Sequence, residues 1–88
     1  MPVVSQFYGI IITMYFDENA KHKLPHLHAE YAEFSAVFDF DGNIVTGKMP
    51  NKQRKMIEVW ISIHADELAS LWTIMRTYNE FFKIEPLK

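Results

Sequence analysis

Apolar and β-branched residues of both parities fill the run from Phe7 to Phe16, which reads as one central strand covered on both faces. From Asp17 to Leu24 no period survives, and Pro25 biases Leu24 toward extended backbone, so this stretch reads as a loop. His26 to Tyr31 alternates, placing His26, His28 and Glu30 on one strand face and Leu27, Ala29 and Tyr31 on the other. Phe34 to Phe40 alternates again, and Asp41-Gly42 predicts a two-residue hairpin into Asn43, Ile44, Val45 and Thr46.

The period changes once, near Pro50. Met56, Val59, Trp60 and Ile63 then recur at helical spacing, predicting a helix from about Asn51 to Ile63. Leu68, Leu71, Trp72 and Met75 repeat it, with Asp66 and Glu67 at the positive end of a second helix and Asn79 placed to close it. Phe82, Ile84 and Pro86 alternate with Phe81, Lys83 and Glu85, the pattern of a short last strand that Pro86 holds to an edge. The predicted fold is α+β: an antiparallel meander of four to five strands, with two C-terminal helices packed on one face and Trp60 and Trp72 in the core.

Eighty-eight residues make one domain over 1–88, and 49% hydrophobic with 15% aromatic residues is enough for a core without disorder. A formal charge of -2 provides no overall positive field for nucleic acid, so binding of that kind needs a local patch. The absence of cysteine removes disulfides, thiolate metal sites and cysteine nucleophiles. Phe7 to Met14 is far shorter than the roughly 20 residues that span a bilayer, and Met1-Pro2 opens without a basic leader, so the expectation is a cytoplasmic protein without a membrane partner. Three glycines, at 9, 42 and 47, form no phosphate-binding loop.

The sharpest chemical pattern is His22-x-x-x-His26-x-His28-x-Glu30. Alternate strand positions bring two imidazoles and a carboxylate onto one face, the donor types of a zinc or non-haem iron site. Same-face neighbours stand roughly 6 to 7 Å apart, so convergence on one ion needs a further ligand, for which His22 is available. A polar sheet face accounts for the same spacing, and the reading taken is metal-free, with no cofactor. His26 and His28 are the candidate general acid and base, and with His22 and Glu30 they are expected to form a partly exposed ligand or partner surface.

Lys48, Lys52, Arg54 and Lys55 gather four of the nine basic residues into one acid-free segment. Residues 17 to 41, by contrast, carry six acids and two lysines, which gives the molecule an acidic and a basic end suited to docking another protein. His64, between the helical patterns, fits a junction better than a reaction. Tyr8, Tyr15 and Tyr31 have the rings to stack bases, although strand aromatics mostly serve a core.

The opening MPVVSQFYGIIITMYF, PHLHAEY, the E-x-W of Glu58 and Trp60, the H-x-x-E-L of His64 to Leu68, and KIEPL resemble domain of unknown function 4160 over nearly the whole chain. The resemblance implies a short bacterial protein whose gene often lies beside another small gene, an arrangement that has prompted the suggestion of toxin–antitoxin pairs. Two positions depart from the family pattern: Leu24 replaces a proline, and Ala32 stands where glycine is usual. Should Ala32 take positive φ in its hairpin, it carries strain that glycine avoids.

Two functions follow. The first is an interaction protein, resembling the suspected toxin component of a two-gene module and acting on a cognate small protein or cellular target. The second is a small metal-independent ribonuclease in which His26 or His28 takes the 2′-hydroxyl proton while Lys52, Arg54 or Lys55 stabilises the charged transition state. Binding ranks above catalysis, because an acidic chain holds RNA poorly at physiological salt. Exposed sheet edges make a homodimer the expectation over a monomer.

Overall fold

The computed structural model describes residues 3–14 and 24–88. Its strands are β1 (Val3–Phe7), β2 (Ile10–Thr13), β3 (His26–Tyr31), β4 (Phe34–Asp39) and β5 (Ile44–Gly47). They pair antiparallel in chain order, and helices α1 (Asn51–Ile63) and α2 (Ala65–Tyr78) follow. The α+β meander with two C-terminal helices is therefore the fold; its fifth strand comes from division of the first apolar run and not from residues 82–86.

Strand parity separates the two faces. Ile12, Ala29 and Ala36 lie side by side across three strands, as do Leu27 and Phe38 across two, and all are buried. The same core contains Ile57, Trp60 and Ile61 of α1 and Leu68, Leu71 and Trp72 of α2, so both helices cover this face. Phe7 and Trp60 meet with ring centroids 5.6 Å apart, and Trp60 is fully buried. On the opposite face Gln6, Glu30, Ser35 and Thr46 are exposed and Ile11, His28 and Val37 half-buried. Neither helix covers this face, which is exposed around Glu30, Ser35 and Thr46 and buried at Thr13 and His26.

The run from Phe7 is two strands, not one. Phe7 pairs with Ile10 across a turn at Tyr8 and Gly9, in which Tyr8 takes φ 49°. No Asn-Gly or Asp-Gly marks that turn, and apolar residues on both sides hide it. β2, bonded to β1 and β3, keeps the interior place expected of the run, whereas β1 is an edge. Tyr15, Phe16 and the predicted loop up to Lys23 lie outside the described residues.

The second hairpin turns at Ala32-Glu33 with Ala32 at φ 52°, the conformation that glycine would occupy without strain. The third has a three-residue loop, Phe40-Asp41-Gly42, rather than the two residues predicted. Its Gly42 N–H donates to Asp39 O at 3.2 Å, Gly42 takes φ 91°, and the Asp39 N–H donates to Asn43 O at 2.9 Å. The Asp39 carboxylate accepts from the Asp41 and Asn43 N–H groups, each at 2.9 Å, so it organises a turn one residue longer than Asp-Gly alone signals.

α1 spans the predicted residues, but its inward stripe is turned from the one expected. It buries Gln53, Ile57, Trp60 and Ile61, while Val59 and Ile63 are 51% and 61% exposed. A helix with apolar residues on two sides admits two stripes at the same period, and packing selects the one with Ile57 and Ile61. α2 follows expectation: Leu68, Leu71 and Trp72 are buried, Asp66 and Glu67 occupy its first turn, and Asn79 closes it at φ 55°. Residues 81–86 form no strand; among the described residues a single backbone bond, from the Ile84 N–H to Val4 O at 2.9 Å, ties them to the β1 edge. The Trp60 indole N–H adds a tie to Glu85 O at 2.8 Å. Among the described residues no helix is long and apolar enough to cross a membrane.

Candidate functional site

β3 presents its polar side chains to the open face because Leu27 and Ala29, at the intervening positions, are fully buried on the other. His26, His28 and Glu30 therefore share one face, as their alternation predicts. The imidazoles are neighbours, with centroids 5.4 Å apart in an edge-to-face arrangement. They are not equivalent. His26 pairs with Asp39 at the end of the sheet, where its ring lies 5.4 Å from that of Trp72 and its Nδ1–H donates to Leu24 O at 2.7 Å. Only 8% of it is exposed, so the expectation of a partly exposed residue fails for His26. The aromatic wall comes from α2, beyond the reach of any strand-level pattern.

His28 sits one row further into the sheet, between Thr13 of β2 and Val37 of β4, with Thr46 of β5 beyond. It is half-buried. Burial pushes its imidazole below the ordinary histidine range, the adjacent His26 adds to that, and Glu30 pulls the other way. His28 is thus held toward its neutral form, which both donates and accepts. The buried Thr13 hydroxyl has no hydrogen-bond partner among the described residues.

Glu30 is exposed, flanked by Ile11 and Ser35 in the next row. A hollow of about 270 Å³ opens here, lined by His28, Glu30, Ser35, Val37 and Thr46, with Gly47 contributing no side chain. Ser35 and Thr46 are absent from the residues singled out by sequence. Their strand parity carried a signal, but using it required the β4–β5 register, which the longer turn and the irregularity between Val37 and Phe38 displace.

The basic residues divide. The Lys48 N–H donates to Ser35 O at 3.0 Å, continuing the β4–β5 ladder past Gly47, so Lys48 stands opposite Ser35 in the row that contains Glu30. Two strand spacings, about 10 Å, separate their backbones. Lys52, Arg54 and Lys55 belong to α1, over the covered face, and Arg54 is paired with Glu58 at 2.5 Å. The structure therefore groups His28, Glu30 and Lys48 on one side and leaves the three helical cations on the other.

His64 fills the helix junction. It lies 5.4 Å from Trp60, and its Nδ1–H donates to the Glu67 carboxylate at 2.6 Å. Tyr8 is exposed at its turn and Tyr31 half-buried against the core. No three His, Asp or Glu side chains gather as a metal ion needs among the described residues, and His22 lies outside them. What remains is a polar hollow with one carboxylate, two hydroxyls and a nearby ammonium, a set able to exchange hydrogen bonds with a docked polar surface, while the His28 imidazole lines it with its Nε2 buried.

No curated protein and no solved structure matches the chain. A family model does match, over residues 9–73, which includes β2 through β5, all of α1 and most of α2; the chain belongs to the family described as Domain of unknown function (DUF4160).

Proposed function

We propose that this protein is a binding module that docks a small partner protein on the open face of its sheet, as the toxin component of a two-gene bacterial module. The observation that carries the reading is the hollow formed by His28, Glu30, Ser35 and Thr46, on a face left uncovered by either helix. Its donors and acceptors are spread along adjacent strands, which fits the edge of a docked protein surface better than one small substrate.

Binding is favoured over ribonuclease chemistry by the division of the charges. A phosphate beside His28 has the sheet between it and α1, so Lys52, Arg54 and Lys55 are poorly placed to steady its transition state, and Arg54 already has Glu58 as counter-ion. The His26 Nδ1 is engaged with Leu24 O, which further narrows an acid–base pair.

The test is growth of a bacterial host expressing the chain alone and then with its neighbouring gene product, followed by affinity capture between the two. Arrest relieved by the neighbour, and a complex lost in Thr46→Arg, is the expected result. Thr46 is exposed, so that substitution fills the hollow without disturbing the core. Normal growth in both strains together with no complex would overturn the proposal.

A further inference from the structure

The outward side of α1 carries a second apolar stripe that the core does not use. At 100° per residue, Lys52, Lys55, Val59 and Ile63 fall within one face, with Met56 at its shoulder, roughly opposite the buried Ile57 and Ile61. Val59 is 51% and Ile63 61% exposed. Two large aliphatic side chains stacked one turn apart on the solvent side of a helix are what an interhelical contact uses, and solvation alone gives no reason for them.

The charges around this stripe are arranged head to tail. Lys52 and Lys55 lie before the apolar centre, and α2 opens just beyond it with the exposed acids Asp66 and Glu67. A surface that is basic at one end, apolar in the middle and acidic at the other is complementary to itself when turned through a twofold axis. An axis through Val59 brings the two Val59 side chains together, lays the aliphatic stem of Lys55 over Ile63 of the second copy, and turns the Lys52 end of each α1 toward the Asp66 end, where α2 opens, of the other.

We infer that α1 is a self-association surface on which a second copy of this chain packs its own α1 antiparallel. The occupant is another copy rather than an unrelated helix because the basic and acidic ends match only under that inversion. The helix is about 20 Å long, so the contact falls below the ~800 Å² per partner of a standard interface and gives a dimer in the micromolar range. This contact does not involve the hollow on the opposite sheet face, which makes the inference independent of the proposed partner site.

Sedimentation equilibrium between about 1 and 300 µM tests this directly. The intact chain should pass from monomer to dimer over that range. Because a twofold repeats every contact, each substitution acts twice, and Val59→Lys should weaken dimerisation by about a hundredfold with unchanged circular dichroism. Ile63→Lys should act in the same direction. Lys52→Asp and Asp66→Lys should each weaken it severalfold, and the two together in one chain should restore it. A chain that stays monomeric throughout, a dimer indifferent to Val59→Lys, or a charge exchange that fails to restore would overturn the inference.

Discussion

Ala32 offers a direct measure of backbone strain, since it holds φ 52° in a two-residue turn while its flanking residues, Tyr31 and Phe34, are locked in register. A left-handed conformation costs an L-residue roughly 1–2 kcal/mol. Glycine avoids that cost but is freer in the unfolded chain, which takes back about 0.4–1 kcal/mol. Ala32 is exposed, so no packing is lost with its methyl group. Ala32→Gly should therefore stabilise the protein by about 0.5–1 kcal/mol, seen in urea denaturation as a higher midpoint at unchanged slope and in melting as a rise of roughly 2–8 °C. The converse substitution is Gly47→Ala. Gly47 takes φ 92°, and a Cβ there would lie 2.3 Å from Ser35 O and 2.7 Å from the Ala36 Cα, both backbone atoms unable to swing aside. Strain and overlap together should cost about 2–4 kcal/mol. A neutral or destabilising Ala32→Gly, or a tolerated Gly47→Ala, would refute the turn geometry on which both values rest.

The two histidines should separate. His26→Ala should cost about 1–3 kcal/mol by removing the ring against Trp72 and the bond to Leu24 O, whereas His28→Gln should stay within about 1 kcal/mol. Because burial lowers the His28 pKa in the folded protein, the unfolded chain takes up its proton first as pH falls; the contribution is complete above about 6.5 and is lost below it, through the folded value. Melting temperature should consequently fall between pH 7 and 5 more steeply in the intact protein than in His28→Gln, and parallel curves would contradict this. Trp60→Phe keeps an aromatic ring but removes the indole donor to Glu85, so amide exchange at Ile84 and Glu85 should quicken while the strand amides hold; uniform change across the fold would show that the segment is not anchored there.

Much of this architecture is legible in the residues because period and turn chemistry agree there. Alternation through β3 and β4 is strict, α2 has acids at its start and Asn79 at its end, and the two tryptophans reach the core from helical positions. The readings that changed share one cause: two patterns of equal local quality, between which only tertiary contact decides. Tyr8-Gly9 divides an apolar run that a single strand fits equally well. In α1, Val59 and Ile63 match the helical period as closely as Ile57 and Ile61, and Trp60 belongs to either set. The site shows the same limit. β3 alone fixes that His26 and His28 share a face, yet their unequal burial depends on Trp72, more than forty residues later, which closes over the sheet end and reaches only the first of them. That asymmetry turns a symmetric-looking pair into two residues with different surroundings: His26 becomes a joint between the sheet and α2, and His28, half-buried with its Nε2 enclosed, lines the hollow beside Ser35 and Thr46.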